Sequence, residues 1–342
     1  MPADARGGES SATSNDPLIA EAVARLAAGE LVAFPTETVY GLGADADNPA
    51  AVARIFARKG RPLDHPVIVH VAGADALSHW ALEIPPAAHL LVQAFWPGPL
   101  TLILRRAPGV SDSVTGGQDT VGVRCPAHPL AQALLRACEQ AGIHGLAAPS
   151  ANRFGHVSPT TALHVRAEFG DDLLILDGGP AEVGIESTII DLSGPEPRIL
   201  RPGMITESQL VAVLGRALCN HSAPSQPRVS GSLAAHYAPR TPLEIVPPAG
   251  LTARLTDLLA RKKRVVVLSR ASAPEPQDAE LLWLRMPSLP EDYARALYAR
   301  LREADAAERD CVLVEALPTA SGWEALQDRL GRAAVGSGRT GD

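Results

Sequence analysis

The sequence predicts a two-part α/β protein: a larger part built on a mixed, twisted sheet, then a smaller part with a parallel, Rossmann-like sheet. Three observations predict this. The chain has 342 residues, more than the roughly 250–300 that one core usually serves. Up to about residue 218, helices and strands mix without a strict βαβ rhythm. From residue 241 they alternate regularly, as a parallel sheet requires.

Residues 1–15, "MPADARGGESSATSN", are polar and expected to be a disordered tail. "DPLIAEAVARLAAGE" reads as a helix capped by Asp16, with Pro17 in its first turn and Gly29 at its end. "LVAFP" is a short buried strand and "TETVYGLG" a sharp turn. Asn48 and Pro49 introduce a helix over 49–58. "PVIVHV" is a strand, followed by helices near 74–80 and 86–95. "LTLILRR" and "DTVGVRC" are strands, and "PLAQALLRACEQAG" is an amphipathic helix. Shorter strands follow at "LLILD", "STIIDLS" and "RILRPG", then a helix over 207–218. Residues 219–240 are rich in Ser, Pro and Ala without periodicity and read as a linker. The second part runs strand "LEIV", helix 250–261, strands "RVVVLS" and "LLWLRM", helix 290–304, strand "CVLVEAL" and helix 321–333. It lacks a GxGxxG turn, which argues against a dinucleotide. The expected units are therefore a tail at 1–15, a first domain at 16–218, a linker at 219–240 and a second domain at 241–335.

Composition excludes several functions. A net charge of −7 argues against a protein that coats nucleic acid by bulk charge. Aromatics at 4% leave no stacking platform for single strands. Cys125, Cys138, Cys219 and Cys311 form no CxxC pair and read as free thiols of a reducing cytoplasm. No apolar run is long enough to span a membrane. P-loop, HExxH, GxSxG and kinase signatures are absent. The ten histidines show no metal-ligand spacing, and His65 and His70 fall on opposite faces of an expected strand.

What remains is a series of polar turns. "KGRP" puts Lys59, the sole lysine before Lys262, two residues from Arg61 on an expected surface turn. A point charge beside a planar fork suits a polyphosphate, but basic residues also complement a helix C-terminus. "FPTETVYGLG" packs small hydroxyls against close backbone, which suits a small polar ligand or a plain capping turn. "AAPSANRFGHVSPT" presents Ser150, Asn152, Ser158 and Thr160 just after an apolar strand. Arg124 in "GVRCP" ends a strand as either a carboxylate clamp or a solvated surface group. Ser187 and Thr188 begin another strand, and Arg201 in "RPG" precedes a helix.

In this order, "PTETVYGLG", "KGRP", "IVHV", "WPGPLTLIL", "VGVRCP", "APSAN", "SPT", "ESTIID", "RPG" and "HYAP" resemble the L-threonylcarbamoyladenylate synthase family in its long two-domain form. The resemblance covers residues 16–218 motif by motif and the remainder more loosely. It implies a YrdC-like catalytic domain and a reaction: L-threonine, bicarbonate and ATP give threonylcarbamoyl-AMP and pyrophosphate. That is the first step of threonylcarbamoyladenosine modification of tRNA. It further implies that Thr38, His70, Arg124, the Ala148 backbone and Ser187 hold threonine. Arg61, His65, Thr120, Ser150, Ser158, Arg201 and Tyr237 would hold ATP. Lys59, Arg61, Ser150 and Asn152 form the signature tetrad at the catalytic centre. Mg2+ is expected with ATP, and no protein-bound metal site is expected. Partners beyond the substrates would be tRNA and downstream threonylcarbamoyl-transfer proteins, in the cytoplasm and away from membranes.

Two other readings compete. A carbamoyl-transfer enzyme of metallocofactor maturation shares such a domain, but this chain has no acylphosphatase segment and no CxxC zinc pairs. A non-catalytic binder of structured RNA is opposed by the acidic net charge and by the complete set of polar and cationic motifs.

Overall fold

The computed structural model describes residues 16–219, 226–274 and 279–338. The expected tail at 1–15 and positions 220–225 of the linker lie outside the described residues.

The chain opens with α1 (Pro17–Ala27), whose first turn is closed by the Asp16 side chain accepting from the Leu18 amide. Then β1 (Val32–Phe34) pairs antiparallel with β2 (Gly41–Asp45). The expected turn "TETVYGLG" therefore ends in a strand. Its glycines, which read as turn signals, are packing residues: a Cβ on Gly43 would lie 2.9 Å from the Phe34 ring. Next come α2 (Pro49–Lys59), capped by Asn48 and stopped by Gly60 in the left-handed region, and β3 (Ile68–His70). β3 is shorter than expected, so His65 lies in the preceding turn and not on the strand.

A short 3-10 turn leads into α3 (Leu77–Trp80), then α4 (Pro86–Phe95), β4 (Leu100–Arg105), α5 (Asp112–Thr115) and β5 (Thr120–Arg124). After α6 (Pro129–Gln140) and β6 (Leu146–Ala147) comes α7 (Ala162–Phe169), which the sequence pattern did not reveal. Thr161 caps it and Gly170 ends it. β7 (Leu174–Ile175), β8 (Thr188–Asp191), β9 (Arg198–Arg201) and α8 (Glu207–Leu214) complete the first part. α8 stops earlier than expected because Gly215 adopts φ 65°.

These strands form one nine-stranded mixed sheet, ordered β7-β1-β2-β6-β3-β5-β4-β8-β9. Its registers matter for the site. His70 pairs with Arg124, Arg124 with Thr101, Leu100 with Thr188, and Ile189 with Arg201. One end of the sheet thus collects His70, Arg124, Thr188 and Arg201.

The second part holds β10 (Leu243–Val246), α9 (Pro248–Ala260), β11 (Val265–Ser269), β12 (Leu281–Arg285), α10 (Pro290–Ala306), β13 (Cys311–Glu315) and α11 (Glu324–Gly336). Its four strands are all parallel, in the order β10-β13-β11-β12. The expected Rossmann-like sheet is present, with β11 buried at every position as an inner parallel strand requires. One apolar cluster joins Tyr293, Leu297 and Tyr298 of α10 to Val39, Val157 and Ile185 of the first part.

Gly43→Ala should lower unfolding stability by about 1–3 kcal/mol, because the rigid Phe34 ring cannot yield to the added methyl. Urea denaturation of the two proteins checks this.

Candidate active site

The polar sheet end opens into a narrow cavity of about 50 Å³. Thr38, His70, Arg124, Ala148 and Ser187 line it, as do Arg61, Ser150, Arg201 and Tyr237. Most residues singled out from the sequence therefore meet in one place.

The two basic residues of "KGRP" are not on a surface turn. Lys59 is 3% exposed and Arg61 7%. α2 ends against the "SAN" loop, and Lys59 Nζ donates to the carbonyls of Ser150 (2.6 Å) and Asn152 (2.5 Å). Burial, and then the neighbouring Arg61, push Lys59 well below the ordinary lysine range. Arg61 donates to the Pro66 carbonyl at 2.8 Å, and burial brings it down to about 10. It remains charged at neutral pH.

Arg124 donates to Glu37 Oε1 at 2.6 Å and to Thr38 Oγ1 at 2.8 Å, with its Nε on the Gly98 carbonyl. Glu37, which the sequence reading did not assign, also accepts from the Ala127 amide. Arginine carries five N–H groups, so two remain for a ligand. Thr36, likewise unassigned, bonds Thr38 hydroxyl to hydroxyl at 2.8 Å. Thr101 does the same for Ser187. Arg201 clasps the Ser187 carbonyl through Nε (3.1 Å) and Nη2 (2.9 Å). Ala148 already donates its N–H to Ile68, so the backbone group it offers is its carbonyl.

Some expected positions lie elsewhere. His65 packs edge-on against Phe154, with ring centroids 5.4 Å apart, and is not in the cavity wall. Thr120 lines an adjoining pocket that shares Ile68 and Ser230 with the cavity. Ser158 is buried and donates to Glu186 at 2.6 Å. The Asn152 amide donates to the carbonyls of Arg153 and His156.

Residues 226–240 form a strap across this region. Gln118 and Arg228 bond reciprocally at one edge, and Val229 seats between Ile103 and Ile189. Ser230 takes Arg61 on its hydroxyl (3.1 Å) and Arg201 on its carbonyl (2.9 Å). Gly231, at φ 77°, lies so near the Tyr237 hydroxyl that no Cβ would fit. Tyr237 adopts φ 59° itself and stacks on Tyr298 at 5.7 Å. His236, overlooked beside it in "HYAP", also lines the cavity.

Four buried polar atoms of the cavity lining have no partner, namely Arg61 Nε, His70 Nδ1, His236 Nδ1 and the Tyr237 hydroxyl; Asn152 Oδ1 and the Nε atoms of Arg198, Arg270 and Arg302, outside the lining, are the others among the described residues. Buried orphans of this kind are rare and call for a ligand or ordered water. Their concentration here marks a site built to be filled. The carboxylates close by are saturated: Glu37 by Arg124 and Ala127, Glu186 by Ser158, Tyr298 and Arg329. Elsewhere, Asp47, His79 and His144 converge on the exposed surface, which their sequence spacing did not reveal. Among the described residues no helix is long and apolar enough to cross a membrane.

A cationic, hydroxyl-rich cavity at the end of a mixed sheet, roofed by a strap, defines an α/β enzyme for anionic substrates. Residues 24–203 match the family model described as telomere recombination, and residues 205–335 match the C-terminal domain model of threonylcarbamoyl-AMP synthase. The threonylcarbamoyl-AMP synthase of Bacillus subtilis is 41% identical over 335 residues, covering 95% of both chains. That of Pyrococcus abyssi is 39% identical, covering 89% of this chain and 90% of its own. The crystal structure of P. abyssi Sua5 complexed with L-threonine superposes with a TM-score of 0.83 at 37% identity, over 93% of this chain and 94% of that one. The chain belongs to the threonylcarbamoyl-AMP synthase family and is an enzyme of the nucleotidyltransferase type.

The buried histidines set the acid response. Burial first, then Arg124, takes His70 from 6.5 to about 3. Burial also takes His236 from 6.5 to about 3, with Arg61 and Lys59 acting against the opposing pull of Glu186. The native state thus binds fewer protons than the unfolded chain below pH 6.5, so stability must fall as pH drops from 6.5 toward 3. His236→Phe should make that slope shallower by up to about 1.4 kcal/mol per pH unit. Urea unfolding at pH 7, 6 and 5 measures it.

Proposed function

We propose that this cavity joins L-threonine, bicarbonate and ATP into threonylcarbamoyl-AMP and pyrophosphate, the first step of threonylcarbamoyladenosine formation on tRNA. The observation that carries this reading is the ring of unpartnered polar atoms around one cavity holding Arg61, Arg124 and Arg201 together with Thr38 and Ser187. Residues 16–218 act as the catalytic unit, 219–240 as a lid, and 241–335 as the second domain. Scattered cysteines with no CxxC pair accord with a cytoplasmic enzyme.

Threonine sits at the sheet end. The spare N–H groups of Arg124 grip its carboxylate. Thr38 and Ser187 meet its hydroxyl and amine, and His70 presents a neutral imidazole. The amine takes up bicarbonate-derived CO2 as a carbamate. A carbamate oxygen then attacks the α-phosphorus, the bond to the β-phosphate breaks, and pyrophosphate leaves with the electron pair. Arg61 and Arg201 bear the phosphate charge through attack and departure, which is positioning and electrostatic catalysis without a covalent protein intermediate. Lys59 and Asn152 fix the "SAN" loop and, with Ser150, the space where carbamate meets phosphate. Ser158, Thr120 and Tyr237 bound the nucleotide side, and His65 supports it through Phe154. Glu37 and Glu186 are each engaged by an arginine, so the protein would leave Mg2+ to be held by ATP, where it would supply charge neutralisation alongside Arg61 and Arg201. The product passes to the machinery that modifies tRNA.

The strap gives this chemistry its dry chamber. A carbamate and a mixed anhydride both hydrolyse, so water must be excluded while they exist. Ser230 holds the two arginines that the phosphates need, so ATP must displace it, and the strap must re-close over the bound substrates.

Pyrophosphate release from the purified protein should require threonine, bicarbonate and ATP together. Valine in place of threonine should give little, since a site that bonds a hydroxyl is left with unpaired groups by the isostere. Equal turnover with valine would refute the assignment. Arg61→Ala should reduce turnover by about 10²–10³ while leaving the fold intact. Limited proteolysis should cut within 219–240 of the free protein, and ATP plus threonine should protect it. A chain truncated after residue 218 that turned over at the full rate would reduce the strap to a tether.

A further inference from the structure

The second domain reaches the cavity wall through a fully buried arginine, Arg329, and through the Tyr298 hydroxyl, which meet on Glu186. Arg329 on α11 is 0% exposed and donates through Nε to Glu186 Oε2 at 2.8 Å. Its Nη2 reaches the Pro202 carbonyl at 3.1 Å and its Nη1 the adjacent Asp328 at 2.6 Å. Its guanidinium carbon lies 5.2 Å from the centre of the Tyr237 ring. Glu186 lines the cavity beside Ser187. It accepts from Ser158 (2.6 Å) and, from α10, from the Tyr298 hydroxyl (2.8 Å). One side chain therefore ties together the start of β8, the turn after β9 and the strap's aromatic ring, all from outside the first domain.

We propose that Arg329 is a positioning residue for the nucleotide half of the site: it neutralises Glu186 so that a cavity wall carrying a carboxylate can accept a triphosphate. The inference rests on ATP being the substrate, as proposed above. The physical need is plain. An unpaired carboxylate in this wall would repel the phosphates that Arg61 and Arg201 attract, and isolated buried charge is costly. Burial would raise Glu186, yet Arg329 and then Arg201 hold it down at about 2. The groups facing it are Arg329 and Asp328 on α11, Tyr298 on α10, Ser158, Arg201 at the end of β9, and His236 and Tyr237 of the strap. Arg329 is the one whose Nε meets the carboxylate directly. Some ties between the parts lie away from the cavity wall: Arg295 donates to the Glu182 carbonyl, and Arg302 reaches Val157 and Glu168.

The test is R329Q in the full chain, read as the ATP dissociation constant without threonine and as the KM for ATP and for threonine, between pH 6 and 8. ATP binding should weaken about tenfold or more at pH 8, with the KM for threonine changing less. In R329Q the buried Glu186 loses its main cation and its pKa climbs. Below that pKa it is neutral and repels no phosphate, so the defect should shrink toward pH 6, a dependence the parent protein lacks through this group. E186Q/R329Q removes a neutral pair and should restore ATP affinity. R295A should match the parent protein. A merely structural arginine predicts the opposite, with R329Q and the double variant equally impaired and the defect independent of pH. That result overturns the proposal, as does an R329Q protein indistinguishable from the parent. Should R329Q fail to fold, E186Q and E186Q/R329Q decide: both must bind ATP at least as well as the parent, and weaker binding by either overturns the proposal. A parent protein that neither binds ATP nor releases pyrophosphate sinks the proposed activity, and this inference with it, whereas an active parent with an unaffected R329Q sinks only the inference.

Discussion

Lys59, Arg61 and Arg201 are all buried, the two arginines in the wall of one cavity, and each is held largely by peptide carbonyls. Lys59 rests on Ser150 and Asn152, Arg61 on Pro66, and Arg201 on Ser187 and Ser230. Removing a cation from water costs several kcal/mol even after relaxation. A carboxylate partner would offset that cost and cancel the charge. Carbonyl dipoles take up several of the N–H groups without adding a cancelling charge. Burial first, and then the neighbouring Arg61, lower Lys59 well below the ordinary lysine range. Where carboxylates do enter, they are accounted for: Glu37 answers Arg124, and Glu186 answers Arg329.

Such an arrangement needs a rigid framework, since loose carbonyls would turn away and admit water. The mixed sheet supplies it. Antiparallel and parallel registers in one sheet bring the ends of β3 and β5 beside the beginnings of β4 and β8. A purely parallel sheet would have put like ends together and left the "EST" and "VRC" segments apart. α2 adds its C-terminal turn, where Gly60 breaks the helix, so that Lys59 bonds the "SAN" loop while Arg61 bonds Pro66 and Ser230.

Much of this was legible in the sequence because it rests on local chemistry. Asp16, Asn48 and the proline after each announced their helices, and regular alternation beyond residue 241 announced the parallel sheet. The polar turns could be recognised as a set by their order. What escaped has a common physical cause. Gly41 and Gly43 read as a turn, but they are glycines because the Phe34 ring lies against them, a fact about a neighbouring strand. Lys59 and Arg61 read as exposed because charge normally is, whereas here loops distant in sequence bury them. Glu37, Glu186 and Arg329 passed unassigned because each takes its meaning from a partner many residues away: Glu186 and Arg329 meet across two domains. Asp47, His79 and His144 likewise converge from three separate loops and helix ends.

Ser230 is, in effect, an internal ligand. It is covalently present at all times and bonded to both Arg61 and Arg201. A tethered group acts at an effective concentration in the millimolar range or above, so under the proposed reading an incoming nucleotide would have to out-compete it, and apparent affinity would be reduced by the fraction of time the arginines stand free. That tax falls unevenly. A triphosphate meets both arginines with several charged oxygens and overcomes a neutral hydroxyl and carbonyl readily. A monophosphate has far less with which to displace them. Under the proposed reading the strap would act as a charge threshold, screening the nucleotide pool by phosphate number before any base is read, and would reset once pyrophosphate has gone.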